Sequence, residues 1–392
     1  MIMCPICGIA AVSKNGIDTK DIMAKSGKRI YRVQKYRCSN MHIFRKNAPF
    51  SFSDSFIEYV VYIYLRCLSL NTTIDIVRAT YEQEVLTKQQ ILDFLEMVTD
   101  ALPTIDDIDS LFSPRRSGYI ALDGVWFSFN DEEIVLLVCF DPVTFDIIAA
   151  HWERDETAAG YERLLVAVVN KLGALTIKGA YGDGDNGLIF SLKKLLPHVP
   201  FQLCVFHKEL RMGEVIPVKR VHISKQLTTR QKNEILTFQH LFREIIYAQT
   251  KEASYQALLV LETYVKKKPG NERFQRAYRS LLKNFSLTLT HFDYPDMERD
   301  NNVLECFNGI LKNRLSLMKA FKKKENLDRY LKLFLLEFRF RPLKESRFKT
   351  RRGQSPLQLG DVYLPPYYNF ITLLRTHFKL TFQPKSPQKS TV

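Results

Sequence analysis

Apolar and polar positions change their period several times along the chain, and each change marks a boundary. From Ser53 to about Leu102 the apolar residues recur at three- and four-residue spacing in "SDSFIEYVVYIYLRCL", "NTTIDIVRATYE" and "LTKQQILDFLEMVTDAL", which predicts three helices. Ser53 and Thr87 stand where N-caps are expected, and short breaks at 69–71 and 83–86 let the three fold back on one another. Such a trio over residues 51–102, its last member opening on "TKQQ", fits a helix-turn-helix-like domain; it also fits a small connecting bundle. The stretch "PTIDDIDSLFSPRRSG" then loses the period and carries two prolines, so residues 103–117 are expected to be a linker.

Beyond it the period shortens to that of strands. "GYIALDGVWFSF", "EEIVLLVCFDP" and "FDIIAAHWE" are three successive β-rich runs, followed by the amphipathic helix "TAAGYERLLVAVVNKLG". A strand "LTIKGAYGD", a helix "GLIFSLKKLLP", a strand "FQLCVF" and a helix opening near His207 come next. The order β-β-β-α-β-α-β-α predicts an α/β fold, a mixed sheet flanked by helices of the ribonuclease H-like kind. Its first part spans residues 118–208 and a helical insertion follows over 209–297. The last helices, over 298–345, open with "DNNVLECFNGILKNRLSLMKAF", and residues 346–392 form a basic tail whose end, "QPKSPQKSTV", reads as disordered.

Charge narrows the partners. The 392 residues carry a formal net charge of +15, which points to a polyanion such as nucleic acid or an acidic membrane surface. Fifteen Lys or Arg against four Asp or Glu fall between Leu311 and Arg352, interleaved with Phe, Leu and Tyr, as expected of a phosphate-tracking surface. The best membrane candidate, "FIEYVVYIYLRCLSL", is broken by Glu58 and Arg66 and is shorter than the about 20 apolar residues a spanning helix needs. No membrane partner is therefore expected, and the start "MIMCPICGIA" lacks the basic and apolar regions of a signal peptide. A cytoplasmic, nucleoid-associated location is expected. Seven cysteines, an odd number, favour metal and core roles over a disulfide framework.

Four of the soft side chains fall in the first fifty residues. Cys4 and Cys7 form one pair, Cys38 and His42 a second, and the intervening thirty residues suit two hairpin strands. Two such knuckles suit tetrahedral Zn²⁺ in a zinc ribbon over residues 1–50, whose binding would supply folding energy that so small a segment lacks. The alternative is chance spacing, because the second pair is looser than CxxC. The spacer "GKRIYRVQKYRC" is basic and aromatic enough to face DNA.

Three carboxylates invite a second centre. Asp123 interrupts the apolar run "YIALDGVWF"; buried there it would be costly unless paired or metal-bound, and the alternative is a solvent-facing position shared with Ala121 and Val125. In "AYGDGDNGLI", Asp183 ends the fourth strand, which in this fold lies beside the first, whereas Asp185 falls in the turn that starts the next helix. Along the late helix Leu304, Phe307, Leu311 and Leu315 repeat at core spacing and leave Asn301, Glu305, Asn308 and Lys312 on a neighbouring polar stripe; a solvated face is the plainer account of that stripe. Asn301, Lys312 and Arg314 border Glu305 with groups suited to phosphate. Asp123, Asp183 and Glu305, with no adjacent nucleophile, fit two divalent cations about 4 Å apart acting on a phosphodiester. Hard oxygen ligands favour Mg²⁺ or Mn²⁺.

"ALDGVWF", "GDGDNGL" followed by "FQLCVFHKELR", and "NNVLECFNGILKNR" together resemble DDE transposases of the mutator-like group and their prokaryotic insertion-sequence relatives, over residues 116–345. Asp183 with Gly187 and Leu188 fits that group's second-aspartate segment, and Cys204 with His207 its C-x-x-H. The resemblance implies cleavage at the ends of a mobile element and strand transfer into target DNA. It further implies Asp123 bridging two ions, Asp183 and Glu305 completing one site each, and an oligomer, expected to be a homo-oligomer. Cys204 and His207 would act near the active site, or would be core packing, with His207 bonded to backbone. A DNA-binding regulator without catalysis, or a structure-selective nuclease, are the other functions compatible with these residues.

Overall fold

The computed structural model of the chain describes residues 2–45, 51–67, 69–81, 86–223, 225–317, 323–345, 349–367 and 369–382. It divides into two compact units: Met1–Ser113 with Leu317–Pro342 and Tyr363–Val392, and Pro114–Ser316 with Leu343–Val362. The disordered end expected at 383–392 lies outside the described residues.

The first unit opens with a three-stranded antiparallel sheet, β1 (Val12–Ala24), β2 (Gly27–Cys38) and β3 (Ile43–Arg45). Three helices follow where the apolar period placed them: α1 (Asp54–Cys67), α2 (Leu70–Tyr81) and α3 (Lys88–Ala101). Ser53 accepts the amide of Phe56, and Thr87 forms a capping box with Gln90, so both expected caps close helix starts. The expected linker holds a further helix, α4 (Ile105–Phe112), because Thr104 and Asp107 form a second capping box and Ile108 reaches the core. A helix of two turns needs few apolar residues, which is why the period alone missed it.

Two late helices complete this unit. Lys324–Phe340, expected with the sheet domain, lies here instead: its fully buried Arg339 pairs with Asp109, Lys332 donates to the carbonyls of Thr99 and Leu102, and Arg329 pairs with Glu96. Three basic residues of the run are therefore engaged inside this unit, while Lys323 and Lys324 are exposed. Phe370–Phe378, inside the expected tail, buries Phe370, Ile371 and Leu374, and its Arg375 and Thr372 satisfy the buried Glu58 of α1. Among the described residues no helix is long and apolar enough to cross a membrane.

The second unit is α/β. Its strands are β4 (Tyr119–Phe129), β5 (Glu132–Asp141), β6 (Asp146–Glu153), β7 (Gly179–Gly182) and β8 (Phe201–Leu203), in the order β6-β5-β4-β7-β8. The first three are antiparallel and β4, β7 and β8 run parallel, so the sheet is mixed. Helices α5 (Ala158–Leu172) and α6 (Asn186–Leu195) cover one face, where Ile120, Leu122, Val135, Leu137 and Ala180 form a common core with Leu164 and Leu188. Alternation along β4 sends Ala121, Asp123 and Val125 to the other face. Where a helical insertion was expected, α7 (Val205–Val215), α8 (Thr229–Ile246), α9 (Lys251–Lys266) and α10 (Glu272–Leu282) share a second core around Phe238, Phe242 and Phe274. The chain then returns to α11 (Asn302–Leu317), whose Phe307 ring packs at a tilt, 4.7 Å between centroids, on Phe140 of β5, on the sheet face that carries Asp123.

Candidate active site and metal cluster

The strand pairing decides where the acids go. Ala121 of β4 lies opposite Tyr181 of β7 in a parallel pair; Asp123 stands two residues further along β4, and Asp183, expected to end the fourth strand, stands just past it, since β7 ends at Gly182. Asp123 is 6% exposed, which excludes the solvent-facing alternative. Its Oδ1 accepts the amide of Gly124 at 2.9 Å and its Oδ2 the side-chain amide of Asn308 at 2.8 Å. Burial pushes its carboxyl up to about 7; the charge of His207 opposes that rise, and those of Asp183 and Glu305 add to it.

Asp183 and Asp185 play unequal parts. Asp185 is the N-cap of α6 and accepts the amides of Gly187 and Leu188. Gly187 is required there, since a Cβ would lie 2.7 Å from the backbone nitrogen of Ala158, where α5 begins. Asp183 directs Oδ1 to the amide of Asp185, and its Oδ2 is held at 2.9 Å by Arg211.

Glu305 comes from the first turn of α11. The core stripe is as expected, with Leu304, Phe307 and Leu311 at 0 to 1% exposure. The neighbouring stripe is not a solvated face, for Asn301 and Asn308 are buried while Lys312 is exposed. Arg314 is buried and engaged within the protein, which removes it from a DNA-facing role. Glu305 Oε1 lies 3.0 Å from His207 Nε2.

Cys204 and His207 divide the two roles expected of them. Cys204 is packed at 1% exposure, accepts the amide of Asn301 on its sulfur, and through its own amide ties α7 to Gly182 of β7. His207 faces the carboxylates, and among the described residues its ring has no backbone partner and its buried Nδ1 no hydrogen bond. Burial would lower its pKa, but Cys204, Glu305 and the charge of Asp123 raise it to about 11.

Three contributors escaped the sequence reading. Arg211 lies one helical turn beyond His207 in "HKELR", so the two project from one face of α7 toward Glu305 and Asp183. Asn308 was placed on the polar stripe but given no role. Glu156, just before α5, accepts Trp126 Nε1 at 2.9 Å and occupies the space that a Cβ on Gly124 would fill. Burial and the charges of Asp183, Asp123 and Asp185 push Glu156 up to about 7, against the hydrogen bond from Trp126.

The donor set suits a cation. Ligand atoms of Asp123, His207 and Glu305 all lie within 4.8 Å of one another, and Asn308 Oδ1 beside them has no partner among the described residues. Asp123, Asp183 and Glu305 outnumber the two cationic side chains that meet them, His207 and Arg211, and a divalent ion would offset that excess. Asp183, engaged by Arg211, is outside that trio.

The first unit carries a different cluster. Cys4, Cys7, Cys38 and His42 converge, with Cys7 Sγ and Cys38 Sγ 3.7 Å apart and His42 Nδ1 3.6 and 3.8 Å from Cys38 Sγ and Cys4 Sγ. Tetrahedral zinc with Zn–S near 2.3 Å and Zn–N near 2.05 Å sets those edges at about 3.8 and about 3.6 Å. Burial pushes the Cys4 thiol up, but hydrogen bonds with the backbone of Cys7 and Ile6 and with the thiols of Cys7 and Cys38 outweigh it and bring it to about 6, toward the ligating thiolate. The four residues could hold zinc.

No family model and no curated protein matches the chain. Among solved structures, a chain of the simian T-cell lymphotropic virus intasome in complex with PP2A regulatory subunit B56 gamma aligns at 12% identity and a TM-score of 0.19. The alignment covers 46% of this chain and 70% of that one, and at such a score it carries no argument about fold or function.

Proposed function

We propose that the chain is a DNA transposase of the DDE type, with a ribonuclease H-like core, that cleaves phosphodiesters at the ends of a mobile element and joins them to target DNA. The observation that carries this is that Asp123 on β4 and Asp183 just past the end of the adjacent parallel strand β7 stand at matching register, with Glu305 brought onto the same sheet face by α11. The strand order, with an antiparallel trio beside a parallel pair, supports the ribonuclease H-like assignment. The motif resemblance and the net charge of +15 support DNA as the substrate.

In the proposed reaction water attacks a phosphorus at the element's end, and the P–O bond to the departing 3′-oxygen breaks, leaving a 3′-hydroxyl and a 5′-phosphate. That hydroxyl then attacks a target phosphodiester: one P–O bond forms as one breaks, so no outside energy source is needed. Mg²⁺ or Mn²⁺, when bound, would lower the pKa of the attacking oxygen and offset charge on the leaving one. Asp123, Asp183 and Glu305 would hold the cations. Asn308 fixes the rotamer of Asp123, and Arg211 orients Asp183 and balances its charge. Lys312, which is exposed, borders this site as a candidate for phosphate contact; Asn301, expected beside it, is buried like Arg314 and is not one. The cysteine and histidine cluster would bind structural zinc and present the β1–β2 ribbon, with α1–α3, to DNA. A homo-oligomer acting on paired ends belongs to the same proposal.

Purified chain incubated with a duplex from the DNA flanking its coding region, Mg²⁺ or Mn²⁺ and a target plasmid tests the proposal. Joined products lost in Asp123→Asn and Glu305→Gln support it. Metal-dependent cleavage without joining would indicate a structure-selective nuclease, and binding without cleavage a DNA-binding regulator.

A further inference from the structure

The cations implied by the three acids do not match the structure's own grouping. Asp183 is paired with the guanidinium of Arg211 and lies outside the grouped ligand atoms, whereas Asp123 accepts only neutral amides and His207 faces it and Glu305. We infer that Asp123, His207 and Glu305 form a mixed oxygen–nitrogen site for a single first-row divalent cation, with Mn²⁺ held in preference to Mg²⁺, and that Arg211 withholds Asp183 from it. The inference rests on the metal-dependent chemistry proposed above and changes its ligands and its selectivity.

Four observations carry it. The three ligand atoms come within 4.8 Å of one another, close enough for one ion to touch all three. Two belong to carboxylates and one to an imidazole; Mg²⁺ takes oxygen ligands almost exclusively, whereas imidazole favours first-row transition ions. Among the described residues, Asn301, 2% exposed, has neither side-chain amide atom satisfied, and Asn308 presents an unpartnered Oδ1 beside Asp123. Buried amides left open in this way are groups that a bound ion or its water would satisfy. Finally, α7 sets His207 and Arg211 one turn apart, so placing the imidazole among the carboxylates also places the guanidinium on Asp183.

The chemistry of the N-terminal cluster keeps the two sites apart. Three sulfurs and one imidazole select zinc, while a set dominated by carboxylates leaves Mn²⁺ free to bind without displacing it.

The test uses the full chain with one equivalent of Zn²⁺ in the cysteine cluster and no DNA. Mn²⁺ is titrated and followed by electron paramagnetic resonance, then displaced with Mg²⁺. The expected result is one Mn²⁺ per chain, a preference over Mg²⁺ of about tenfold or more, and nitrogen hyperfine coupling in the pulsed spectrum. His207→Gln should lose that coupling and weaken Mn²⁺ binding by about tenfold or more, bringing the two ions close to parity. Asp183→Asn should leave Mn²⁺ binding within about twofold of wild type, while Asp123→Asn abolishes it. Absence of nitrogen coupling in the wild-type spectrum overturns the inference whether or not any variant folds. So does equal loss of binding in Asp183→Asn and Asp123→Asn. Because binding is read without DNA, the outcomes separate: a chain that binds Mn²⁺ through nitrogen yet joins no strands sinks the transposase proposal alone. One that joins strands equally well with Mg²⁺ and shows no nitrogen coupling sinks this inference alone.

Discussion

Replacing Asp123 with asparagine should stabilise the second unit while removing its chemistry. The carboxyl is raised from 3.8 to about 7, so ionising it costs the folded chain about 4 kcal/mol more than the unfolded one, at ~1.4 kcal/mol for each factor of ten. His207 loses a charge partner in the variant, which offsets part of this, so the net gain should be on the order of 2–4 kcal/mol. An asparagine keeps the hydrogen bond to Gly124, and Asn308 can turn its unpartnered Oδ1 toward the new amide. The gain depends on pH with a definite sign. Below 3.8 the carboxyl is neutral in both states and the variant gains little; between 3.8 and about 7 the unfolded chain ionises first and wild type loses stability; above that the loss is complete. Both tryptophans of the chain, Trp126 and Trp152, lie in this unit, so urea unfolding followed by their fluorescence, without added Mg²⁺ or Mn²⁺, reads the difference directly. A difference that stays flat from pH 4 to pH 8, or a destabilised variant at pH 8, would refute the assignment of a strained buried carboxylate.

Other outcomes follow from the same contacts. Chelating the metal of the cysteine cluster, or Cys4→Ser, should expose the amides of β1 and β2 to hydrogen exchange while those of β4 and β5 stay protected; unchanged protection would count against structural zinc. Gly124→Ala places a Cβ 1.8 Å from Glu156 Oε1 and should expel that side chain, breaking its bond with Trp126 and shifting the tryptophan emission; an unshifted spectrum would show that Glu156 does not rest there. Thr87→Ala removes a capping box from α3 and should cost about 1 kcal/mol in the first unit, measured by thermal or urea unfolding. DNA binding should weaken steeply between low and moderate salt, and binding indifferent to salt would contradict a phosphate-contacting role for the excess positive charge.

What the sequence disclosed divides along physical lines. Local rules sufficed for the caps at Ser53 and Thr87, for the strands β4 to β6, and for placing Asp185 in the turn that opens a helix, apart from Asp183, because each depends on neighbours within a few residues. Periodicity carried the core stripe of α11, and an expected strand adjacency was enough to bring Asp123 beside Asp183. Contacts across long separations were not legible. Asn308 meets Asp123 at a sequence separation of 185, and Arg211 reaches Asp183 across 28 residues; neither has a local signature that marks its partner. Basic residues misled for a related reason. Arg314, Lys332 and Arg339 sit in a run that reads as one charged surface, yet burial and partners such as Asp109 turn them inward. The helix α4 and the helix Phe370–Phe378 were hidden by brevity and by their place in segments taken for a linker and a tail.

The central claim is that these acids act together on a phosphodiester. It is tested most directly by the fate of a labelled 3′-end from the DNA flanking the coding region, incubated with the full chain, a divalent cation and a target plasmid. Covalent joining of that end to the target by wild type, abolished in Asp123→Asn and in Glu305→Gln while both variants still bind the duplex, is the predicted result. Joining that persists at wild-type level in either variant, or a wild-type chain that binds the duplex and never cuts it, would contradict the account.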